Sequence, residues 1–107
     1  MKLKFFTKKI EAINFFKEKN INKKYKFLTK SSNGTIELFE YMPIIQYDKL
    51  YHKASDTWSD SNKSYWLRRE TKGSSIDLRD IFQEEISFPC KKNESCCISR
   101  TKIIFKG

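Results

Sequence analysis

Ser31-Ser32-Asn33-Gly34 constrains this chain more than any other stretch. Asn33 and Gly34 tolerate the positive φ that tight hairpin turns require, and residues of strand character flank them on both sides. Before the turn, Tyr25 and Phe27 alternate with Lys24 and Lys26, the period of a half-buried strand over about 24–30. After it, Ile36 and Leu38 share one face of a strand over 35–41, and Phe39 and Tyr41 share the other. Lysines on the first strand and Glu37 and Glu40 on the second would set opposite charges across the pair.

The flanking pattern extends this hairpin into a β-α-β-β unit over residues 1–41. Met1, Leu3 and Phe5 alternate with Lys2 and Lys4 and read as a first strand. Thr7 can cap a helix over about 8–19, with Phe6, Ile10, Ile13 and Phe16 on one side and Asn20 at its C-terminal end. Lys9 and Lys17 fall inside that apolar arc, where their long stems can cover it. Beyond Pro43, Tyr47, Leu50 and Tyr51 fit one face of a short helix, and 55–63 reads as a polar loop carrying Trp58. Residues 65–70 read as a strand and 71–75 as a turn. Residues 76–82 either return as a hairpin partner or begin a helix that ends near Ile86, residues 90–97 are irregular, and 98–105 form a last strand. The expected class is α+β: a small, mostly antiparallel sheet with an N-terminal strand-helix-hairpin and further short strands. At 107 residues the chain is one domain.

Charge divides the chain at the same place. Residues 1–30 hold ten lysines and two acids, so +8 of the net +9 lies there. Residues 42–107 form a near-neutral, aromatic-rich body. A basic, aromatic segment attached to such a body points to an anionic partner. Lys2, Lys4, Lys8, Lys9, Lys17, Lys23, Lys24, Lys26 and Lys30, with Arg68 and Arg69, are the candidate phosphate contacts. The order β-α-β-β-(α)-β over about 1–70 resembles, in topology alone, the RNA-recognition-motif arrangement. That resemblance implies base-stacking aromatics at Phe5, Phe39 and Tyr41, although Glu37 shares the face of the latter two.

Other chemistry is weakly encoded. Cys90, Cys96 and Cys97 are spaced Cys-x5-Cys-Cys, with His52 the only histidine, and do not follow the paired spacing of a structural zinc site. No nucleophile elbow or phosphate-cradling glycine loop is present. Glu70-Thr71-Lys72, with Asp56 or Asp60 upstream, matches the Glu-x-Lys of Mg²⁺-dependent nucleases. Thirteen acids and eighteen lysines produce about two such matches by chance. No run approaches the ~20 apolar residues of a membrane span, and neither a secretory signal nor an even set of cysteines is present.

The reading is thus a non-enzymatic, intracellular protein (cytoplasmic or in an organellar matrix), without metal or cofactor. It binds nucleic acid, RNA before DNA, as part of a ribonucleoprotein or ribosome-like assembly. The alternative is a small inhibitor or adaptor, such as a phage encodes, that grips a protein through Trp58, Tyr47 and Tyr51; an acidic protein surface is a further partner that the same basic charges would attract.

Overall fold

The computed structural model describes residues 9–69, 73–78 and 85–107, the side chain of Asn62 excepted. The hairpin is at its centre. Strand β2 (Phe27–Lys30) pairs antiparallel with β3 (Ile36–Phe39), with Lys30 opposite Ile36 and Phe27 opposite Phe39. Gly34 takes φ 92°, the conformation for which glycine suits the turn.

Three more strands extend this pair. β6 (Ser75–Asp77) adds beside β3, β8 (Cys96–Ser99) beside β2, and β9 (Ile103–Lys106) beside β8. The result is a five-stranded antiparallel sheet in the order β6-β3-β2-β8-β9. Period-2 alternation gives it two apolar faces. On one, Leu28 lies between Leu38 and Ile98 in register. That face is covered by Ala12, Phe15, Phe16 and Ile86. These belong to a short parallel pair, β1 (Ile10–Glu11) with β7 (Ile86–Ser87), and to a helical segment made of a 3-10 turn (Ala12–Asn14) and α1 (Phe15–Glu18).

The opposite face carries Phe39 and Cys97 with Phe27 and Phe105, and Trp66 and Ile45 pack on it. Both come from a long antiparallel ribbon, β4 (Ile44–His52) with β5 (Thr57–Leu67). Its root, where Ile44 meets Leu67, lies near the Phe39 end of β3. Its middle, at Ser64, is bonded to Ser32 and Ser95 at the opposite end of the sheet. The ribbon therefore crosses the sheet and continues past it, with residues 48–61 projecting as an arm. The radius of gyration, 15.6 Å, exceeds the ~13 Å of a compact chain of this length.

The fold departs from the expected α+β class. Among the described residues strands make up 47% and helix 9%, in three sheets, with one helical segment of seven residues. The expected helix over 8–19 is cut short because Ile10 is drawn into β1 opposite Ile86, so helical turns begin only at Ala12. Asn20, at φ 50°, ends them. The expected helix around 47–51 and loop over 55–63 are the two strands of the ribbon. A register shift between Tyr47 and Lys49 interrupts the alternation that would have marked a strand. The distal part of β5 is wet on both faces and carries no apolar alternation at all.

The last strand is two, β8 and β9, turning at 100–102. The charge pairing expected across the central hairpin does not form: Glu37 stands opposite Thr29 and Asp77. Both sheet faces are covered, and Phe39 is buried beneath the ribbon, so the open stacking platform of an RNA-recognition motif does not exist here. The expected first strand, with Phe5, lies outside the described residues. No helix among the described residues is long and apolar enough to cross a membrane.

Candidate nucleic-acid interface and the aromatic arm

The segment after α1 is rich in like charge, and one arginine organises it. Lys17, Lys19, Lys23, Lys24 and Lys26 are exposed, with Glu18 the only acid between residues 17 and 26. Arg100, from the β8–β9 turn, donates from Nε to the Tyr25 carbonyl at 3.1 Å. Its Nη2 donates to the carbonyls of Ile21 and Asn22 at 3.2 and 2.7 Å. The same guanidinium sits 4.6 Å from the centre of the Phe16 ring. Asn22 Oδ1 accepts from the Lys24 amide, shaping the turn that presents the lysines. Lys102 lies on the same turn as Arg100, two residues on.

The second basic element reaches this end of the sheet from the other side. Arg68 donates to the Gly73 carbonyl at 2.9 Å, and the neighbouring Ser74 hydroxyl donates to Tyr25 Oη at 3.4 Å. Arg68 and Arg69, both exposed, therefore stand near the Tyr25 end of the lysine loop. Glu40, also at this end, is engaged by the Ser74 amide and hydroxyl. No carboxylate among the described residues forms an ion pair with Lys17, Lys19, Lys23, Lys24, Lys26 or Lys102.

Lys30 leaves this group. It is 2% exposed, at the far end of β2, and its ammonium donates to the carbonyls of Lys91 and Lys92 at 3.0 Å each and of Glu94 at 2.5 Å. A buried ammonium needs such partners, and this one fastens the loop before β8 instead of facing solvent. Lys9 is exposed beside β1. Lys2, Lys4 and Lys8 lie outside the described residues.

The arm presents the other candidate surface. Trp58 is 65% exposed and Tyr51 is 48% exposed; they are directly opposite in register, with ring centres 5.0 Å apart and planes tilted by 49°. Lys49 and Asp60, two pairs further in, form an ion pair at the surface. Tyr51 Oη donates to Asp56 at 2.5 Å, and this bond to a carboxylate raises the pKa of the phenol above its ordinary value. On the reverse face Leu50 is exposed and His52 Nε2 lies 2.6 Å from Ser59 Oγ. Tyr47 is half-buried and does not join Tyr51 and Trp58 at the tip. Three aspartates and three lysines leave the ribbon without net charge.

A joint of serine hydroxyls holds the ribbon where it leaves the body. The Ser32 hydroxyl accepts from the Ser64 amide at 2.8 Å, the Ser64 and Ser95 hydroxyls are 2.5 Å apart, and the Ser31 hydroxyl accepts from the Trp66 amide at 3.2 Å. An open cleft of about 660 Å³ lies beside it, lined by Asn33, Asp48, Lys63, Tyr65 and Asn93 as well as by serines.

The nuclease reading has no assembled site to examine. Glu70 and Lys72 lie outside the described residues, while Asp56 and Asp60 are engaged on the arm. No group of three or more His, Cys, Asp or Glu side chains among the described residues is placed to hold a metal ion. Sequence reasoning passed over Arg100, the Lys30 cage and a contact between Cys90 and Cys96. Arg100 and Lys30 join residues far apart in the chain, the two cysteines converge only because Lys30 folds back the loop between them, and no local motif marks any of these. No protein-family model, curated protein or solved structure matches this chain.

Proposed function

We propose that this chain is a non-enzymatic binding protein that holds a nucleic-acid backbone at the basic end of its sheet, RNA in preference to DNA. One observation carries the reading: five lysines of residues 17–26, with Lys102, Arg68 and Arg69, are displayed at one end of the sheet without ion-pair partners among the described residues. Arg100 holds the lysine loop from beneath, adding a further cation under the display. Phosphates would relieve that repulsion and release their own counterions.

Fluorescence anisotropy with labelled single-stranded RNA and duplex DNA, over a salt series, tests this. Four phosphate contacts predict a loss of roughly a hundredfold in affinity between about 50 and 200 mM salt. Replacing Lys23, Lys24 and Lys26 together by Glu should abolish binding, since none of the three is buried. Affinity that does not change with salt would rule the reading out. Equal binding of RNA and duplex DNA would remove the preference for RNA while leaving the phosphate contacts in place.

The arm favours a second reading, in which a protein partner is bound. Exposed, paired aromatics on a ribbon without net charge suit the desolvated centre of a protein interface better than a phosphate backbone. On this reading Trp58→Ala removes a stoichiometric protein partner in pull-downs and leaves nucleic-acid binding intact.

A further inference from the structure

Two cysteines and a buried ammonium meet beneath the loop that leads into β8. Cys96 is fully buried, opposite Lys30 across the β2–β8 ladder. Cys90 is half-buried, six residues earlier, and Lys30, which stands opposite Cys96, holds the same Glu94 carbonyl that the Cys90 sulfur approaches, so that the two cysteines converge on one lysine. Cys90 Sγ also lies 3.5 Å from the Glu94 carbonyl. The intervening loop is folded back by Lys30, whose ammonium binds three of its carbonyls, among them the Glu94 carbonyl beside the Cys90 sulfur. The same lysine thus shapes the loop and supplies positive charge to the pair.

The two thiols are unequal. The hydrogen bond from Cys96 and the charge of Lys30 favour a thiolate on Cys90 and lower its pKa to about 7, against the opposing effect of burial. Donating that hydrogen bond, together with burial, raises Cys96. A half-exposed, thiolate-prone cysteine beside a protonated one is the arrangement of an attacking and a resolving thiol. Cys97 is different. Strand alternation turns it to the opposite face, against Phe39 and Trp66, and burial pushes it up to about 12.

We propose that Cys90 and Cys96 are a reactive dithiol, oxidised to an intramolecular disulfide by a low-molecular-weight disulfide of the glutathione class. The Cys90 thiolate attacks one sulfur of oxidised glutathione. A Cys90–glutathione mixed disulfide forms, and the first glutathione leaves as a thiolate. Cys96 then attacks the Cys90 sulfur, and the second glutathione leaves as a thiol, taking the Cys96 proton. The protein loses two hydrogens and two electrons, and one oxidised glutathione becomes two reduced ones. The new bond closes the loop whose carbonyls cage Lys30.

The full-length protein, equilibrated with oxidised and reduced glutathione, tests this by intact-mass and peptide mass spectrometry. The expected product lacks two hydrogens and yields a Cys90–Cys96 linked peptide, with Cys97 still alkylated after denaturation. Cys96→Ser should stop at one glutathione on Cys90, and Cys90→Ser should take up none. A disulfide that includes Cys97, a wild-type protein that stops at the glutathione adduct, or three free thiols in excess oxidised glutathione would each overturn the proposal. So would alkylation of native Cys90 whose pH profile is half-maximal near that of an ordinary cysteine instead of near pH 7.

Discussion

Trp58 and Trp66 lie eight residues apart on one strand, at a spacing that nominally places them on the same face. Trp66 is 4% exposed, and its indole N–H donates to the Lys30 carbonyl at 3.2 Å. It meets Phe105 edge to face, with ring centres 5.5 Å apart. Trp58 touches Tyr51 and is otherwise in water. One ribbon, its pairing shifted in register between Tyr47 and Lys49, thus holds a core residue at its base and an open surface at its tip. The difference teaches that the hydrogen-bond ladder sets the shape of the ribbon, and that the underlying sheet decides which part of it stabilises the fold. An isolated two-stranded ribbon is only marginally stable, so the tip depends on the base.

That dependence predicts the largest effect. Trp66→Ala removes the aromatic that joins ribbon to sheet and leaves a cavity beside Phe39 and Phe105. It should destabilise the protein by about 3–5 kcal/mol in chemical unfolding. A loss below about 1 kcal/mol would mean that ribbon and sheet are energetically separate.

Lys30→Met should follow. The side chain is nearly the same size, but the ammonium that satisfied three carbonyls is gone. A cost of about 2–3 kcal/mol is expected, with faster amide exchange over residues 91–94. If exchange there is unchanged, the cage does not hold the loop.

Much of the central hairpin was legible because its signals are local: a turn with the chemistry for positive φ and strands alternating at period 2. The ribbon was not. The irregularity at Tyr47 and Lys49 breaks its period, and the tip of β5, with Ser59, Asp60 and Ser61, has no face to bury. A strand stabilised only by its ladder looks like a loop. The basic surface was legible in part. Lys17, Lys23, Lys24 and Lys26 are exposed, but charge counting cannot separate them from Lys30, whose partners are sixty residues away. Cys90 and Cys96 gave no motif because their meeting depends on that same lysine.

A smaller effect concerns the sheet face that the ribbon base covers. Glu37, half-buried there, has its pKa raised to about 7 by burial first and by Asp77 second. The folded state therefore holds this proton more tightly than the unfolded chain. Stability should be highest below pH ~4.5, fall as pH rises to about 7, and then level off with respect to this group. Glu37→Gln removes the fall. It should stabilise the protein by about 1–2 kcal/mol at pH 8, after allowance for solvent screening of a half-exposed group, and by almost nothing near pH 4. A variant whose advantage is the same at both pH values would show that charge on Glu37 is not the cause.

Trp58→Ala should have the smallest effect on stability and so sharpens the comparison most. The ring loses its contact with Tyr51, a pair on a solvated ribbon that contributes at most about 1 kcal/mol. The indole was already in water, so little apolar area returns to solvent and no cavity forms. The expected change in unfolding free energy is under about 0.5 kcal/mol, an order of magnitude below that of Trp66→Ala. If Trp58→Ala instead destabilises the fold as strongly as Trp66→Ala, the tip is part of the core and the arm is not a free surface. If stability is kept and capture of a protein partner is lost, the two tryptophans divide the work of the strand. Trp66 then anchors the ribbon to the sheet, and Trp58 presents an aromatic surface that the fold itself does not use.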